Sequence, residues 1–263
     1  ITERFIITST GGITLFSNPE IKPESSWSTE LGVKQSIKIG NFMVYADVVA
    51  FWQQFQNTIE YIFGSWDPDL AAGFKFLNTG DTRVKGYEIS FTGGGKLYNN
   101  LSINLLAGYT YILPQTLNPD YVFATDNPAE GFIPTDLTYA NTSTDTANNI
   151  LKYRFQNQVK ADVELIYKKT SLGASLRYYS FMQNIDNTFY TLDESNVLPT
   201  GITEYREINN TGTTIIDLRT GYQFTKNINA AFIVNNIVNL QYTLRPLKIE
   251  SPRTFTIQVS ARF

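Results

Sequence analysis

Two stretches of this sequence that lack a regular hydrophobic period carry aromatic and cationic side chains that could bind a ligand. They span residues 114–150 and 187–210. Aromatic rings with a few polar groups suit a hydrophobic ligand or one that carries aromatic groups. Packing of one loop against another would place the same rings there, so both interpretations stay open. The candidate ligand-binding residues are Tyr121, Phe123, Tyr139, Tyr190, Tyr205 and Arg206.

Familiar enzyme chemistry has few residues to work with in this chain. The sequence contains no Cys and no His, which excludes the usual zinc sites, thiol nucleophiles, histidine general bases and histidine-based triads. The loop acids Asp67, Asp126 and Asp193 lack the spacing of a calcium-binding loop, so we expect them to be solvated. The sequence therefore predicts a protein that is not an enzyme, with no catalytic residue, metal ligand or cofactor.

The composition limits the surroundings in which this chain can work. Lys and Arg number 21 against 24 Asp and Glu, and this net charge of -3 gives no basic face for nucleic acid. Aromatic residues make up 14% of the chain and charged residues only 17%, so many side chains face something other than water. No apolar run approaches the ~18 residues of a membrane-spanning helix, which excludes insertion as a helix.

The dominant period of the sequence is two, which is typical of β-strands with one apolar face. Between Phe155 and Tyr167 one parity is mostly apolar, and the other carries Lys160, Asp162 and Glu164. We therefore predict an all-β chain. The pattern gives about nine strands, at 26–39, 42–56, 74–93, 101–113, 151–168, 171–186, 211–225, 228–240 and 253–263.

The connections between these strands favour a membrane barrel over a soluble sandwich. Short turns such as Gly40-Asn41 and Lys226-Asn227 alternate with long linkers, the longest at 114–150. Short periplasmic turns and long extracellular loops are typical of outer-membrane barrels. Phe42 and Trp52 bracket small aliphatic residues on one parity and would lie about 25 Å apart along the membrane normal, as two interfacial girdles do. A soluble β-sandwich, such as a binding or adhesion module, remains the alternative that alternation alone does not exclude.

The predicted barrel needs more strands than this chain supplies. A sheet edge exposed to lipid leaves backbone N–H and C=O groups unsatisfied, so the sheet must close. Nine is an odd number, whereas bacterial single-chain barrels have an even number of strands. We therefore expect earlier strands in a part of the protein that is not present here. Polar residues on the second parity would form a hydrated wall network, namely Lys160, Asp162, Glu164, Arg177 and Arg219.

Two segments carry a specific resemblance. The run from Asn18 to Lys34 resembles the segment of TonB-dependent receptors that ends an extracellular loop and enters a descending strand. The run from Asn235 to Tyr242, followed by Ser251 to Phe255, is similar to the closing hairpin of the same family. Asn-Pro and Lys-Pro steps by themselves indicate only a bend, which explains the prolines but not the whole run. The residues that carry the first match are Asn18, Pro19, Lys22, Pro23 and Glu24.

The resemblance implies a fold and an assembly route. It implies a transmembrane antiparallel barrel of 22 strands, of which this chain would supply about nine. Residues 1–25 would be an extracellular loop segment and residues 26–263 the C-terminal strands of the barrel, with the N-terminal plug domain not present in this chain. Phe263 would be an aromatic anchor at the periplasmic girdle and a signal read by the barrel-assembly machinery.

The resemblance also implies a function and partners. The expected protein is a receptor of the bacterial outer membrane that takes up a scarce solute, most often a ferric siderophore or a similar nutrient, with energy from TonB. Its partners would be outer-membrane lipid, the plug of the same receptor, the TonB complex reached through the missing N-terminal part, and the nutrient itself, which would be a small molecule or an oligomer. A passive porin, which needs neither plug nor TonB, is the alternative within the membrane class.

Overall fold

The computed structural model describes residues 2–5, 7–10, 13–67, 73–128, 133–194 and 200–262. Strands dominate it, and the longest of its helices within these ranges have seven residues. None of the described helices has the length and apolarity needed to cross a membrane. In chain order the elements are α1 (Thr2–Phe5), β1 (Thr8–Thr10), β2 (Ile13–Phe16), β3 (Ser25–Ile39), β4 (Phe42–Gln56), β5 (Ile59–Gly64), β6 (Gly73–Asn78), β7 (Thr82–Tyr98), β8 (Leu101–Thr116), β9 (Ala124–Thr125), β10 (Asp136–Leu137), α2 (Tyr139–Thr142), β11 (Asn157–Tyr167), β12 (Thr170–Tyr179), α3 (Thr188–Glu194), α4 (Ile202–Ile208), β13 (Thr213–Gln223), β14 (Ile228–Asn235), β15 (Thr243–Arg245), β16 (Lys248–Ile249) and β17 (Thr254–Ala261).

Nine of these strands form one antiparallel sheet, which we call the wall. Their order across the sheet is β17-β14-β13-β12-β11-β8-β7-β4-β3, so strands that follow one another in the wall are neighbours in space. The sheet is open in this chain, because β3 and β17 lie at its two edges. A single continuous sheet of this width is not a two-layered sandwich, so the sandwich alternative is wrong.

The register of the wall sorts side chains by chemistry. Val163 pairs with Leu105 on β8 and with Ala174 on β12, and Leu218 continues the same row on β13. The apolar parity of every strand therefore lies on one face of the sheet, which we call the outer face. Ile257 on this face is 77% exposed. Asp162 and Glu164 lie on the opposite, inner face, as the alternation predicts.

The connections at the two ends of the wall differ in length. At one end the turns are short, as at Gly40-Asn41 and Lys168-Lys169. At the other end the chain makes long excursions that fold on one another. We call these excursions the loop layer; together with the described residues that precede β3, it comprises the described residues of 2–24, 57–81, 117–156, 180–212 and 236–253.

The loop layer contains small sheets and helices of its own. One mixed sheet has the order β1-β2-β6-β5, in which β2 and β6 run parallel. The pairs β9 with β10 and β15 with β16 form two further small sheets. Long-range pairing therefore organises the loops even where the sequence shows no clear period.

One predicted strand, at 74–93, is wrong in its limits. The structure divides this region into β6, which belongs to the loop layer, and β7, which belongs to the wall. Gly80 separates them with a φ of +100°, a conformation that a side chain with a Cβ adopts only at a cost in energy. The predicted strand ends at Gly93, but the run Gly93-Gly94-Gly95 lies inside β7 and pairs with β4 and β8. Three consecutive glycines therefore do not end this strand.

Candidate functional site

The motif from Asn18 to Glu24 fastens the loop layer to the start of the wall. The Asn18 side chain donates to Phe76 O at 2.8 Å, and Lys22 exchanges two hydrogen bonds, of 2.8 and 3.0 Å, with the Asn78 side chain. Glu24 Oε2 accepts a hydrogen bond from Ile59 N at 2.9 Å. The segment therefore holds the β5–β6 hairpin beside β3. Pro19 lies in the exposed turn that this segment makes, and Pro23 lies in the irregular stretch that leads into β3.

An apolar cluster fixes the segment that contains α3 and α4. Met182, Ile185, Phe189 and Ile202 are buried together. Phe74 of the β5–β6 hairpin packs against this cluster, so the hairpin and the helical segment share one small core. The loop layer is therefore a packed structure rather than a set of independent loops.

A buried ion pair joins two of the long connections. The side chains of Lys152 and Asp186 are 2% and 1% exposed, and the ammonium group forms a salt bridge with the carboxylate. Lys152 Nζ also donates to Thr142 Oγ1 at 2.8 Å and lies 5.2 Å from the centre of the Tyr139 ring. The Tyr153 hydroxyl donates to the second oxygen of Asp186. Both charges thus have close polar partners, which a buried ion pair requires in order to be tolerated.

Glu60 brings the β5–β6 hairpin into the same network. Burial raises the pKa of its carboxyl from 4.5 to about 7, even though the nearby charge of Lys152 acts in the opposite direction. Thr79 Oγ1 lies 3.4 Å from Glu60 Oε2 and donates a hydrogen bond to it. Burial likewise raises the pKa of the Tyr153 hydroxyl, with a further contribution from the charge of Asp186. The network therefore contains one carboxyl group that titrates near neutral pH.

Asp193 organises the start of α4 and is not the solvated acid that the sequence suggests. Its two carboxylate oxygens accept hydrogen bonds from the backbone and hydroxyl groups of Thr200 and Thr203 and from Gly201 N. Burial alone would raise the pKa of Asp193, but these hydrogen bonds outweigh it and hold the pKa well below its usual range. An ionised carboxylate close to the first turn of a helix also interacts favourably with the helix dipole.

A cleft of about 420 Å³ lies between α4 and the β15–β16 hairpin. Three cationic residues, Arg206, Arg245 and Lys248, line it together with a single acidic residue, Glu204. The guanidinium of Arg206 lies 4.5 Å from the centre of the Phe181 ring, which also lines the cleft. Cationic and aromatic groups around a concave space suit an anionic ligand that carries aromatic rings.

The structure brings together three of the six candidate ligand-binding residues. Tyr205 and Arg206 line the cleft, and the Tyr190 hydroxyl accepts a hydrogen bond from Arg206 Nε at 2.8 Å. The Tyr205 hydroxyl accepts one from Thr243 N at 3.2 Å, so this ring links α4 to β15. These three residues form one patch, although their assignment to ligand binding stays a prediction.

The other three candidates lie elsewhere. Tyr139 is 1% exposed and packs against Lys152 in the buried network. Tyr121 is 52% exposed and Phe123 is partly buried, and neither lines the cleft. Phe263, the predicted assembly signal, lies outside the described residues. Sequence reasoning missed Arg245 and Lys248, because two isolated basic residues in a long connection give no periodic signal.

Ion pairs cross the inner face of the wall, as expected for a hydrated interior. Arg219 makes a two-pronged contact with Asp162, with Nη1 to Oδ2 at 2.6 Å and Nη2 to Oδ1 at 2.8 Å. Glu164 lies 3.8 Å from Arg219 Nε. On a neighbouring pair of strands, Arg177 donates to Asp217 at 2.9 Å. These residues include four of the five predicted for the wall network.

Gly173 makes room for this network. A Cβ at position 173 would lie 2.5 Å from Arg219 Cζ, so the guanidinium crosses the glycine on its way to Asp162. Two-pronged pairing of arginine with a carboxylate fixes the orientation of both groups. The result is a defined polar surface on the inner face. Among the described residues, no group of three or more acidic side chains is arranged to hold a metal ion.

A family model described as "TonB dependent receptor-like, beta-barrel" matches residues 3–237 of the chain. No protein of curated function matches its sequence.

Several solved structures share the fold at low sequence identity. The copper transporter OprC aligns with a TM-score of 0.56 and 14% identity over 93% of this chain and 32% of that one. The ferric-catecholate import receptor Fiu from E. coli K12 aligns with a TM-score of 0.56 and 18% identity, over 97% and 30%. The ferripyoverdine receptor of the Pseudomonas aeruginosa outer membrane, bound to ferripyoverdine, aligns with a TM-score of 0.54 and 15% identity, over 93% and 28%. The chain therefore spans about a third of the length of these proteins, and the likeness is one of fold.

Proposed function

Because the chain belongs to the family of TonB-dependent receptor β-barrels, we propose that it forms part of the wall and the extracellular loops of a receptor that imports a scarce nutrient with energy supplied through TonB. Members of this family are bacterial outer-membrane proteins, and the loop layer would then face the outside. The observation that carries the proposal is the cleft between α4 and the β15–β16 hairpin, whose lining is cationic and aromatic. The match to the family model supports the same function.

A ferric siderophore is the ligand class that fits this cleft. Two of the similar structures are described as an import receptor for ferric catecholate and a receptor for ferripyoverdine. An anionic complex with aromatic groups would find Arg206 and Arg245 as counter-charges and Phe181 and Tyr205 as aromatic surfaces. Lys248 also lines the cleft, but it forms a salt bridge of 3.1 Å with Glu250. A bare copper ion, the cargo named for OprC, would find few ligands here, since the chain has no Cys or His and only two Met.

The remaining partners follow from the same proposal. A plug domain would lie against the inner face, where Asp162, Arg219, Arg177 and Asp217 offer both signs of charge. The TonB complex would act through a part of the protein outside this chain. The barrel-assembly machinery would read Phe263. A passive porin would need neither the plug domain nor the TonB complex, so the energy dependence of uptake distinguishes a receptor from a porin.

Uptake by whole cells tests the proposal. The complete gene is expressed in a strain that lacks its other siderophore receptors, and uptake and surface binding of iron-55 ferric siderophores are measured. Arg206→Ala with Arg245→Ala should weaken surface binding about tenfold, the effect of losing about 1.4 kcal/mol of charge-assisted contact. Lys168→Ala with Lys169→Ala, at the opposite end of the wall, removes the same charge and should leave binding unchanged.

Energy coupling is tested in the same cells without TonB. Uptake should stop while surface binding persists. Continued uptake without TonB would favour the porin, and binding that is indifferent to the two arginines would remove the cleft from the proposal.

A further inference from the structure

The outer face of the wall carries charge at one place. On the nine wall strands, Arg83 and Lys85 of β7 are the charged residues of the outer parity. All other charged residues of these strands lie on the inner parity. They are Glu30, Lys34, Lys38, Asp47, Glu88, Lys96, Lys160, Asp162, Glu164, Arg177, Asp217 and Arg219. A pair of like charges on an otherwise uncharged, lipid-facing surface calls for a physical reason.

Both cations lie over the same indole ring. The Arg83 guanidinium is 5.2 Å and the Lys85 ammonium 5.8 Å from the ring centre of Trp52, which is directly paired with Lys85. Trp27 on the neighbouring β3 adds a second indole that is 52% exposed. The ring holds two positive charges close together by cation–π attraction, which offsets part of their mutual repulsion.

Neither cation has an anionic partner in the structure as described. The ion pairs of the described residues involve other groups, and Arg83 uses one of its donors, Nη2, in a 3.1 Å hydrogen bond to Gln115 Oε1. Lys85 makes no side-chain hydrogen bond to any of the described residues. Both side chains are partly exposed. Arg83 Nε is buried without a hydrogen-bond partner in the described part of the chain. The Lys85 ammonium and the terminal nitrogens of the Arg83 guanidinium are therefore the donors left for an acceptor that approaches from outside the wall.

The position of the pair along the strand defines what can approach it. Trp52 is ten residues from Phe42, which follows the short Gly40-Asn41 turn. At about 3.3 Å per residue and a tilt of about 40°, the ring lies about 25 Å further along the membrane normal than Phe42. Lys85 lies level with Trp52, and Arg83 lies two residues nearer the loop layer. The pair is thus at the edge of the hydrocarbon band, on the side of the loops, where lipid headgroups begin.

We propose that Arg83, Lys85 and Trp52 form a binding site for the phosphate group of a membrane lipid in the leaflet on the loop side. The two cations would contact the phosphate oxygens, and the acyl chains would run along the apolar rows below, past Tyr87 and Ile89 of the same strand. Basic residues at a membrane surface each add about a factor of five to the affinity for anionic lipid. This site is separate from the cleft, so its test does not depend on nutrient uptake.

Lipid binding by the complete receptor in neutral detergent micelles tests the site. Phosphatidic acid is titrated into the micelles and its apparent Kd is measured, with diacylglycerol of the same chains as the uncharged comparison. Arg83→Gln with Lys85→Gln should weaken phosphatidic acid binding roughly 30-fold, since two basic residues are lost. Trp52→Leu should weaken it roughly two- to fivefold through loss of the cation–π contact.

Two matched variants control for folding and for nonspecific charge. Arg83→Lys with Lys85→Arg keeps both charges and should bind like the wild type. Lys168→Gln with Lys169→Gln removes two charges at the other end of the wall, where Lys168 lies 5.2 Å from the Tyr167 ring, and should also bind like the wild type. Equal affinity for diacylglycerol, equal loss in the Lys168 and Lys169 variant, or displacement of the lipid by millimolar inorganic phosphate would each overturn the proposal.

Discussion

The wall and the loop layer are stabilised by different kinds of interaction. In the wall, backbone hydrogen bonds repeat along nine strands, and the polar side chains of the inner face pair at partly exposed positions such as Lys34 with Asp47. In the loop layer, single side chains hold together segments that are far apart in sequence, as the buried pair of Lys152 with Asp186 does. The backbone ladder of the wall tolerates many side chains, whereas the loop layer depends on particular ones.

Under the proposed function, this difference separates two tasks. A wall that relies on backbone pairing keeps its shape while its side chains vary between lipid and water. A loop layer that relies on buried polar contacts keeps a fixed surface for a ligand, since the loops cannot rearrange without exposing or isolating a charge. Substitutions in the loop layer should therefore have large local effects on stability. Substitutions in the wall should have large effects only where they alter the contact with lipid.

The largest effect is expected for Asp186→Ala. It leaves the buried ammonium group of Lys152 without its carboxylate, which costs about 3–5 kcal/mol. Hydrogen exchange of the receptor in detergent should accelerate at residues 139–153 and 184–190 and stay slow at residues 157–167 of β11. Asp47→Ala removes a comparable but exposed ion pair from the wall. It should change the free energy of local opening, measured by exchange, by less than about 1 kcal/mol. Equal effects of the two variants would contradict the comparison.

A charge on the outer face should have the next largest effect. Val163→Arg places a guanidinium near the middle of β11 on the outer face, which would contact lipid under the proposed function, at a cost of about 2–4 kcal/mol. Leu106→Arg, on the adjacent strand and directly opposite Asp162, places the same group on the inner face and should cost less than about 1 kcal/mol. Urea titration of the folded receptor in lipid vesicles measures both. A larger loss of unfolding free energy for Leu106→Arg than for Val163→Arg would contradict the assignment of the two faces.

Acidity should act on the loop layer through Glu60. Its pKa is about 7 in the folded protein against an ordinary 4.5, so the folded layer favours the protonated carboxyl. This contribution is complete below about pH 4.5 and is lost as the pH rises through 7. Local opening of β5 and β6, corrected for intrinsic exchange rates, should therefore increase from pH 5 to pH 8. Glu60→Gln should abolish that rise, and an unchanged pH profile in this variant would exclude Glu60 as its cause.

The smallest effect is expected for Asp193→Ala. The carboxylate is partly screened by solvent, so its loss should lower the free energy of local opening of α4 by about 1 kcal/mol. Because its pKa is lowered on folding, its contribution is present above about pH 4 and is lost as the pH falls below that value. Glu194→Ala alters the exposed neighbouring acid and should have no effect. Exchange at residues 202–208 distinguishes the two variants.

Much of the wall could be predicted from the sequence because its signal is local and repeated. The strands β3, β4 and β8 begin within one residue of the predicted positions, since the apolar parity and the short turns define them directly. The limits were less accurate where a strand left the wall. The strands predicted at 151–168 and 171–186 are shorter in the structure, at Asn157–Tyr167 and Thr170–Tyr179. The residues by which the predictions exceed them belong mostly to the loop layer. An apolar residue there packs against other loops and keeps no period of two.

The candidate site was predicted only in part, for a related reason. Tyr190, Tyr205 and Arg206 meet near the cleft, but Tyr139 is buried in the ionic network and Arg245 was missed. Aromatic content marks a loop that packs against something, without marking whether the partner is a ligand or another loop. The charges of Arg83 and Lys85 on the apolar parity of β7 were visible in the sequence, and they became interpretable once the register had placed both beside Trp52.

The sequence by itself determined the class of fold, the two faces of the wall and the family, because alternation, turn length and the Asn18–Glu24 motif are properties of neighbouring residues. Only the tertiary structure decided which loops touch, which charges are buried and where the cleft lies. Those features join positions such as 60, 152 and 186, and chain entropy allows segments so far apart to meet in many ways until specific packing selects one.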